Sequence, residues 1–269
     1  MSGLEWILAY VILGVIVGFL AGLFGIGGGG IMVPVLATFF VIQGFPIDHI
    51  VHLALATSMA AIIFTSLASL RAHHLHGGVL WPVVWRISPG IILGTFSVAW
   101  IAAYIPSQPL AIFFVLFMLY VSVRMFMNIK PKPSRTLPGT VGLSAAGVGI
   151  GGVSALVAIG GGSLTVPFLT WCNVKIQNAI GTSAAVGFPI SVAGTLGYIT
   201  GGLSVDALPE YTLGFIYIPA VIAITIVSTL TAPLGARLAH KLPVDTLKKL
   251  FAVLLLMLCV NMVYAVFSG

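Results

Sequence analysis

The chain consists of long apolar runs separated by short polar or charged connections. No formally charged residue occurs in the ranges 6–47, 87–123 and 136–174. Each of these runs is long enough for two helices of about 20 residues, the length that crosses a lipid bilayer. The pattern therefore predicts an all-α polytopic membrane protein with several passes through the bilayer.

Composition supports the same class. Apolar residues make up 59% of the chain and charged residues 6%, whereas about 25% of the residues in soluble domains are charged. This excludes an ordinary soluble globule, and the apolar content excludes a disordered chain. The net charge of +6 is attributed to Lys and Arg in cytoplasmic loops, so no nucleic-acid partner is expected.

The chain also contains an internal repeat. Residues 26–34 (IGGGGIMVP) and 159–167 (IGGGSLTVP) are identical at six of nine positions. Thr57-Ser58 recurs as Thr182-Ser183 in a similar Ala-rich setting. We therefore predict a first repeat over 1–129, a charged and proline-broken linker over 130–136 that cannot continue a helix, and a second repeat over 137–269.

Each repeat contains five apolar segments. In the first repeat they lie near 4–25, 29–44, 52–72, 83–105 and 107–127. In the second they lie near 138–158, 162–173, 177–200, 211–236 and 246–267. The second segment of each repeat is short and follows a glycine run, so both a full span and a re-entrant hairpin remain open.

Charge placement predicts how the two repeats are oriented. With the linker in the cytoplasm and five segments per repeat, all 11 basic residues lie on the cytoplasmic side, as the positive-inside tendency requires. Four crossings per repeat would move five basic residues of the second repeat outside. Because five is odd, the repeats are predicted to be inverted, a plan common in secondary transporters. The acidic residues predicted to lie outside are Glu5, Asp48, Asp206 and Glu210.

The glycine runs are the first candidate substrate-binding elements. Glycine lets the backbone turn sharply and approach a ligand closely. The residues after each run predict a new helix, with Pro34 or Pro167 in or near its first turn. A helix start offers free N–H donors and a partial positive charge, which suit an anion. The alternative is close helix packing through small residues. The candidate residues are Gly27, Gly28, Gly29, Gly30, Gly160, Gly161, Gly162 and Ser163.

The paired hydroxyl residues are the second set of candidates. Thr57, Ser58, Thr182 and Ser183 lie early in the third segment of each repeat. Inversion would place them at the depth of the other repeat's glycine run, where hydroxyls can donate to a small oxyanion. The alternative is hydrogen bonding between helices or to a backbone carbonyl four residues earlier.

Other chemistry finds little support in the sequence. No acidic residue lies deep within a predicted segment, where a proton relay or a cation site usually needs one. No set of nucleophile, base and acid is present, so we expect no enzyme activity. We expect neither a cofactor nor a metal site, although the patch His73–His76 keeps a membrane-embedded enzyme or assembly subunit as the alternative function.

The duplicated glycine motif resembles the signature of the TauE/SafE sulfite-exporter family. The paired Ala-Thr-Ser (56–58) and Gly-Thr-Ser (181–183) and the Leu-Gly-Ala-Arg-Leu-Ala run (234–239) are also similar to that family. The resemblance covers about residues 6–265. It implies a bacterial or archaeal inner-membrane permease for small anions, with sulfite and organosulfonates as typical substrates. The first repeat has no basic residue that matches Arg237. It reads Val98-Ala99-Trp100 where the second repeat reads Gly235-Ala236-Arg237.

The sequence therefore predicts a permease that moves small sulfur-containing anions by alternating access. The expected partners are the small anionic substrate and the lipid bilayer, and a homo-oligomer is compatible with the sequence.

Overall fold

The computed structural model describes residues 3–24, 28–127, 134–206, 208–239 and 244–267. All ten predicted segments are helical, which confirms the all-α polytopic class. In the first half the helices are α1 (Gly3–Phe24), α2 (Gly29–Ile42), α3 (Ile50–Leu75), α4 (Trp81–Ala102) and α5 (Ser107–Phe126). In the second half they are α6 (Thr140–Val157), α7 (Gly162–Trp171), α8 (Ile176–Gly202), α9 (Ile218–Ala239) and α10 (Val244–Phe267). A 3₁₀ turn (Ile47–His49) precedes α3.

Seven of the described helices are long and apolar enough to cross a membrane. The helices after the glycine runs are shorter, with 14 residues in α2 and 10 in α7. At about 1.5 Å per residue these helices are roughly 21 and 15 Å long, well under the hydrocarbon thickness of about 30 Å. The prediction of short second segments is therefore confirmed, and neither helix is long enough to cross alone.

The start of α9 differs from the sequence prediction, which placed the segment from about residue 211. An antiparallel hairpin comes first, in which β1 (Thr212–Leu213) pairs with β2 (Ile216–Tyr217). Its turn contains Gly214 at φ 54°, a conformation that glycine adopts without strain. Helix α9 follows directly, with Pro219 in its first turn, where the missing N–H costs least.

Helices α3 and α8 form the centre of the molecule. In their most apolar windows 78% and 67% of the residues are buried, compared with 28% in α1. The two helices run antiparallel, because Met59 packs against Gly194 while Ser66, further along α3, lies beside Gly187. The corresponding third helices of the two halves thus point in opposite directions.

The outer helices are exchanged between the halves. Helix α1 packs on α9, and α6 packs on α4. In each pair, glycines four residues apart face the backbone of the other helix, which allows a close approach of the two helix axes. These glycines are Gly14 and Gly18 in α1, which face Ile224 and Ser228, and Gly147 and Gly151 in α6, which face Ile87 and Ile91.

The charged residues whose side chains the structure describes separate into two faces. We call one the acidic face; it carries Glu5, Asp48, Asp206 and Glu210 at helix ends or connections. The other is the basic face, with Arg71, Arg86, Arg124, Arg135 and Lys175. Contacts between connections support this grouping: the His49 ring lies 5.7 Å from Phe215 on the acidic face. On the basic face the Arg135 N–H donates to the Trp171 carbonyl at 3.2 Å.

Candidate functional site

Both glycine runs lead into helix starts of the same geometry. Gly28 precedes α2 with φ 72°, and Gly161 precedes α7 with φ 82°. A residue with a β-carbon is strained in this left-handed conformation, so glycine is favoured at these two positions. A new helix begins at each run, as predicted, but it starts within the run, at Gly29 and at Gly162, rather than after it. Gly27 lies outside the described residues.

The prolines lie deeper in the helices than the sequence suggested. Pro34 and Pro167 are each the sixth residue of their helix, in the second turn rather than the first, because the helices already begin within the glycine runs. A proline has no N–H for the carbonyl four residues earlier. The carbonyls of Gly30 and Ser163 therefore lack their usual helical donor.

The structure brings the two glycine runs together at the centre of the molecule. The carbonyl oxygen of Ala158, just before the second run, occupies the space that a β-carbon on Gly29 would need. The Ile62 side chain of α3 contacts Gly29 and also lies 3.5 Å from the β-carbon position of Gly160. The two runs thus pack against each other and against the same side chain.

The two runs differ in accessibility. Gly28, Gly29 and Gly30 are buried. Around the second run Gly161 is buried, whereas Gly160, Gly162 and Ser163 are only half-buried. The second helix start is therefore the more open of the two.

The threonines of the hydroxyl pairs make matching hydrogen bonds between the halves. Thr57 Oγ1 on α3 accepts a hydrogen bond from the Tyr217 N–H at 3.1 Å, just before α9. Thr182 Oγ1 on α8 accepts one from the Leu80 N–H at 3.0 Å, just before α4. We call these two bonds the threonine clasps. In each, the third helix of one half holds the start of the other half's fourth helix.

The clasps lie toward opposite faces, so the two threonines are not brought to one point. The Thr57 clasp is beside the β1–β2 hairpin of the acidic face, and the Thr182 clasp is beside the α3–α4 connection of the basic face. Both threonine oxygens thus accept a hydrogen bond from the other half of the chain. This agrees with the alternative interpretation of the sequence, in which the hydroxyls bond between helices. A hydroxyl can accept and donate together, so these bonds do not prevent either hydroxyl from donating a hydrogen bond of its own.

The serines of the pairs are buried as well. Ser58 Oγ is enclosed and has no hydrogen-bond partner among the described residues. The Ser183 carbonyl oxygen lies 3.7 Å from the β-carbon position of Gly161. The backbone of Ser183 therefore lies beside the second glycine run.

Another serine pair, which the sequence reasoning missed, lies where α3 crosses α8. Ser66 Oγ and Ser191 Oγ are 3.4 Å apart. The Gly160 carbonyl faces Gly187 beside this pair. A sequence signal exists, because each serine stands nine residues after the threonine of its half.

A buried histidine, which the sequence analysis did not single out, lies near the acidic face. His52 on α3 is 1% exposed, and its Nε2 donates to the carbonyls of Ala102 at 3.0 Å and Ile105 at 2.9 Å. Its ring stacks on Phe215 of the β1–β2 hairpin, with 4.9 Å between centroids. His52 therefore fixes the end of α4 and supports an aromatic side chain inserted from the other half.

The patch His73–His76 makes the contacts of a helix end. His74 Nδ1 accepts a hydrogen bond from the Trp81 indole N–H at 3.2 Å, and His76 Nδ1 donates to the Ala72 carbonyl at 2.7 Å. Within the part of the chain that the structure describes, no group of three His, Cys, Asp or Glu residues is placed to hold a metal ion.

Comparison with known proteins identifies relatives along nearly the whole chain. A probable membrane transporter protein of Haemophilus influenzae is 39% identical over 259 residues, covering 96% of this chain and 98% of that protein. A probable membrane transporter protein of Methanocaldococcus jannaschii is 28% identical over 240 residues, covering 86% of each. No solved structure gives a significant match. Residues 10–262 match the family described as sulfite exporter TauE/SafE. The chain therefore belongs to the sulfite exporter TauE/SafE family.

Proposed function

We propose that this protein is a permease that moves small sulfur-containing anions, such as sulfite or an organosulfonate, across the cell inner membrane by alternating access. The family description and the names of the relatives support membrane transport rather than an enzymatic reaction. The observation that carries the substrate class is the pair of short helices that begin at left-handed glycines in the centre of the molecule.

A helix start of this kind attracts an anion without a fixed cation. At α7 the N–H groups of Leu164 and Thr165 donate to the Gly161 carbonyl at 3.2 and 2.7 Å. The N–H groups of Gly162 and Ser163, in the first turn of α7, have no partner within the helix and no backbone acceptor among the described residues, and we propose that they donate to the ligand. The helix dipole adds partial positive charge at the same point. Such a site attracts an anion moderately, which favours release as well as binding.

The placement of acidic residues argues against a cation substrate. The acidic side chains that the structure describes lie at the acidic face, outside the middle of the helices. Sodium and proton sites within membranes usually need a carboxylate at depth. Proton coupling, if present, is supplied by a substrate such as sulfite, which protonates near neutral pH.

The packing of the halves supports alternating access between inverted repeats. Three features relate the two halves by a reversal of chain direction. They are the antiparallel pair α3 and α8, the exchange of outer helices and the two threonine clasps. In inverted-repeat transporters, rocking of the repeats exposes a central site to one side and then the other. We propose that opening toward a face breaks the threonine clasp of that face and keeps the other.

Transport by the purified full-length protein in proteoliposomes tests this function. The parent is expected to take up labelled sulfite, taurine or thiosulfate in a saturable way, above protein-free vesicles. A variant with His73, His74 and His76 changed to Ala is expected to transport at the parental rate. Absence of uptake for all three anions would contradict the proposal, and loss of transport in the histidine variant would favour the alternative that uses this patch.

A further inference from the structure

The two helix starts are alike in backbone but differ in their surroundings. We infer that the transported oxyanion binds at the start of α7 and not at the start of α2. This inference rests on the proposed function and deepens it, since it assigns the site to one half and adds Thr165 to its donors.

The α2 start is closed by other parts of the protein. The Val17 side chain lies 2.8 Å from the β-carbon position of Gly28, and Met118 lies 3.2 Å from that of Gly30. Between them Gly29 faces the carbonyl oxygen of Ala158. A carbonyl oxygen repels an anion, and apolar side chains offer it no hydrogen bond. This helix start is therefore suited to packing.

The α7 start offers donors in a more open setting. Gly162 and Ser163, whose N–H groups have no acceptor among the described residues, are half-buried rather than enclosed. The nearest side-chain atoms at Gly161 belong to Ile190 and Thr165, at 3.0 and 3.3 Å from its β-carbon position. One of these two side chains is polar, so the surroundings of this start are not only apolar.

Thr165 is the second observation that points to a ligand. Its side chain is 0% exposed, and Oγ1 has no hydrogen-bond partner among the described residues. A side chain on a helix leans toward the helix N-terminus, and Thr165 Oγ1 accordingly lies beside Gly161 at the α7 start. A buried hydroxyl without a partner is unfavourable. A bound oxyanion would accept its hydrogen bond.

The first half lacks this hydroxyl. When the two glycine runs are aligned, Met32 stands where Thr165 stands in the second half. Met32 is fully buried, and its Cε lies 3.8 Å from the β-carbon position of Gly28. The α7 start can therefore present three donors from one turn of helix, two N–H groups and one hydroxyl. Three donors match an –SO₃ group, which presents three acceptor oxygens.

The inference is tested by binding of ³⁵S-labelled sulfite and of labelled taurine to the purified full-length protein. Thr165→Val keeps the shape of the side chain and removes the hydroxyl, and we expect it to weaken binding by about 10-fold to 100-fold. Thr165→Ser restores the hydroxyl and is expected to bind within about threefold of the parent. If Thr165→Val is not monodisperse, Thr165→Ala replaces it with the same expected loss.

Two matched controls isolate the position. Thr225→Val removes another buried hydroxyl that has no partner among the described residues, but on α9. Met32→Leu changes the residue equivalent to Thr165 in the first half. Both are expected to bind both probes as the parent does. Parental binding by Thr165→Val, or a loss in Met32→Leu as large as in Thr165→Val, would overturn the inference.

Failure of the proposed function gives a different result. A parent that binds a probe but transports neither contradicts the permease function, while the variant series still decides the site. A parent that binds neither probe at millimolar concentration overturns both.

Discussion

At the scale of single residues, the two short helices begin next to backbone conformations that glycine adopts more readily than other residues. The described glycines with positive φ are Gly28, Gly44, Gly77, Gly161 and Gly214. Two of them begin the short helices, and the others lie in connections. Position rather than conformation therefore distinguishes the glycines of the proposed site from the others, which makes matched substitutions informative.

Gly161→Ala is expected to abolish transport, whereas Gly44→Ala is expected to preserve it. Each substitution forces a β-carbon into the left-handed region at a cost of about 1–2 kcal/mol. Gly44 has no atom within 4 Å of its β-carbon position, whereas that of Gly161 lies 3.0 Å from Ile190. Initial uptake rates and melting temperatures of both variants check this prediction. Parental uptake by Gly161→Ala would show that the α7 start serves only packing.

The threonine clasps give a second prediction at this scale. Thr57→Val and Thr182→Val each leave a backbone N–H without its acceptor, and each is expected to lower the free energy of unfolding by about 1–3 kcal/mol. Thr200→Val is the control, because the exposed Thr200 hydroxyl donates to the Leu196 and Gly197 carbonyls of its own helix. Denaturation in detergent measures the change. Equal stabilities for all three variants would mean that the clasps do not hold the halves.

At the scale of elements, the contacts between helices are set by small residues. The glycines of α1 and α6 allow the backbones of α9 and α4 to approach, so these pairs contribute to stability through close packing. The effect is specific to the face of the helix that makes the contact. Helix α6 carries glycines on both its packed and its exposed face, which provides an internal comparison.

Gly147→Ala is expected to destabilise the protein, and Gly149→Ala to leave it unchanged or stabilise it. A β-carbon on Gly147 would lie 2.5 Å from the Ile87 carbonyl oxygen, whereas Gly149 has nothing within 4 Å. The helix propensity of Ala favours both substitutions by about 1 kcal/mol, so only the contact separates them. The melting temperatures in detergent check the prediction. It fails if Gly147→Ala melts at or above the temperature of Gly149→Ala.

The sequence predicted the elements better than their contacts. Uncharged runs and glycine breaks located all ten helices, because segment length and apolar character are local properties. The apolar pattern placed the start of α9 too early, because hairpin residues such as Phe215 and Ile216 are as apolar as the residues of a membrane helix. Thr165 was overlooked for the same reason: it stands among apolar neighbours, and only the folded structure reveals a buried hydroxyl without a partner. The pairing of α1 with α9 joins distant parts of the chain, which no local pattern encodes.

At the scale of the whole molecule, the described charges and the contacts between the two halves are the observations that bear on orientation in a membrane. Among the side chains that the structure describes, basic residues lie at one face and acidic residues at the other, the distribution expected if the linker lies in the cytoplasm. The central helices run antiparallel, and each face has its own threonine clasp. The proposed transport by rocking of the halves requires the two faces to lie on opposite sides of the native membrane.

Single cysteines test the orientation directly. In a background with Cys172 and Cys259 changed to Ala, Ser134→Cys on the basic face is expected to react with a membrane-impermeant thiol reagent only from the cytoplasmic side. Ser204→Cys on the acidic face is expected to react only from outside; both serines are exposed. Labelling of both positions from the same side would contradict the arrangement of the two faces.

The most direct test of the central claim is anion transport measured side by side in the parent and Thr165→Val, in proteoliposomes of equal protein content. Saturable uptake of labelled sulfite, taurine or thiosulfate by the parent, with a half-saturation concentration raised about 10-fold to 100-fold in Thr165→Val and restored in Thr165→Ser, is the predicted result. Uptake with the same half-saturation concentration in all three proteins would contradict binding at the α7 start, and parental vesicles no more permeable than empty ones would contradict the transport function itself.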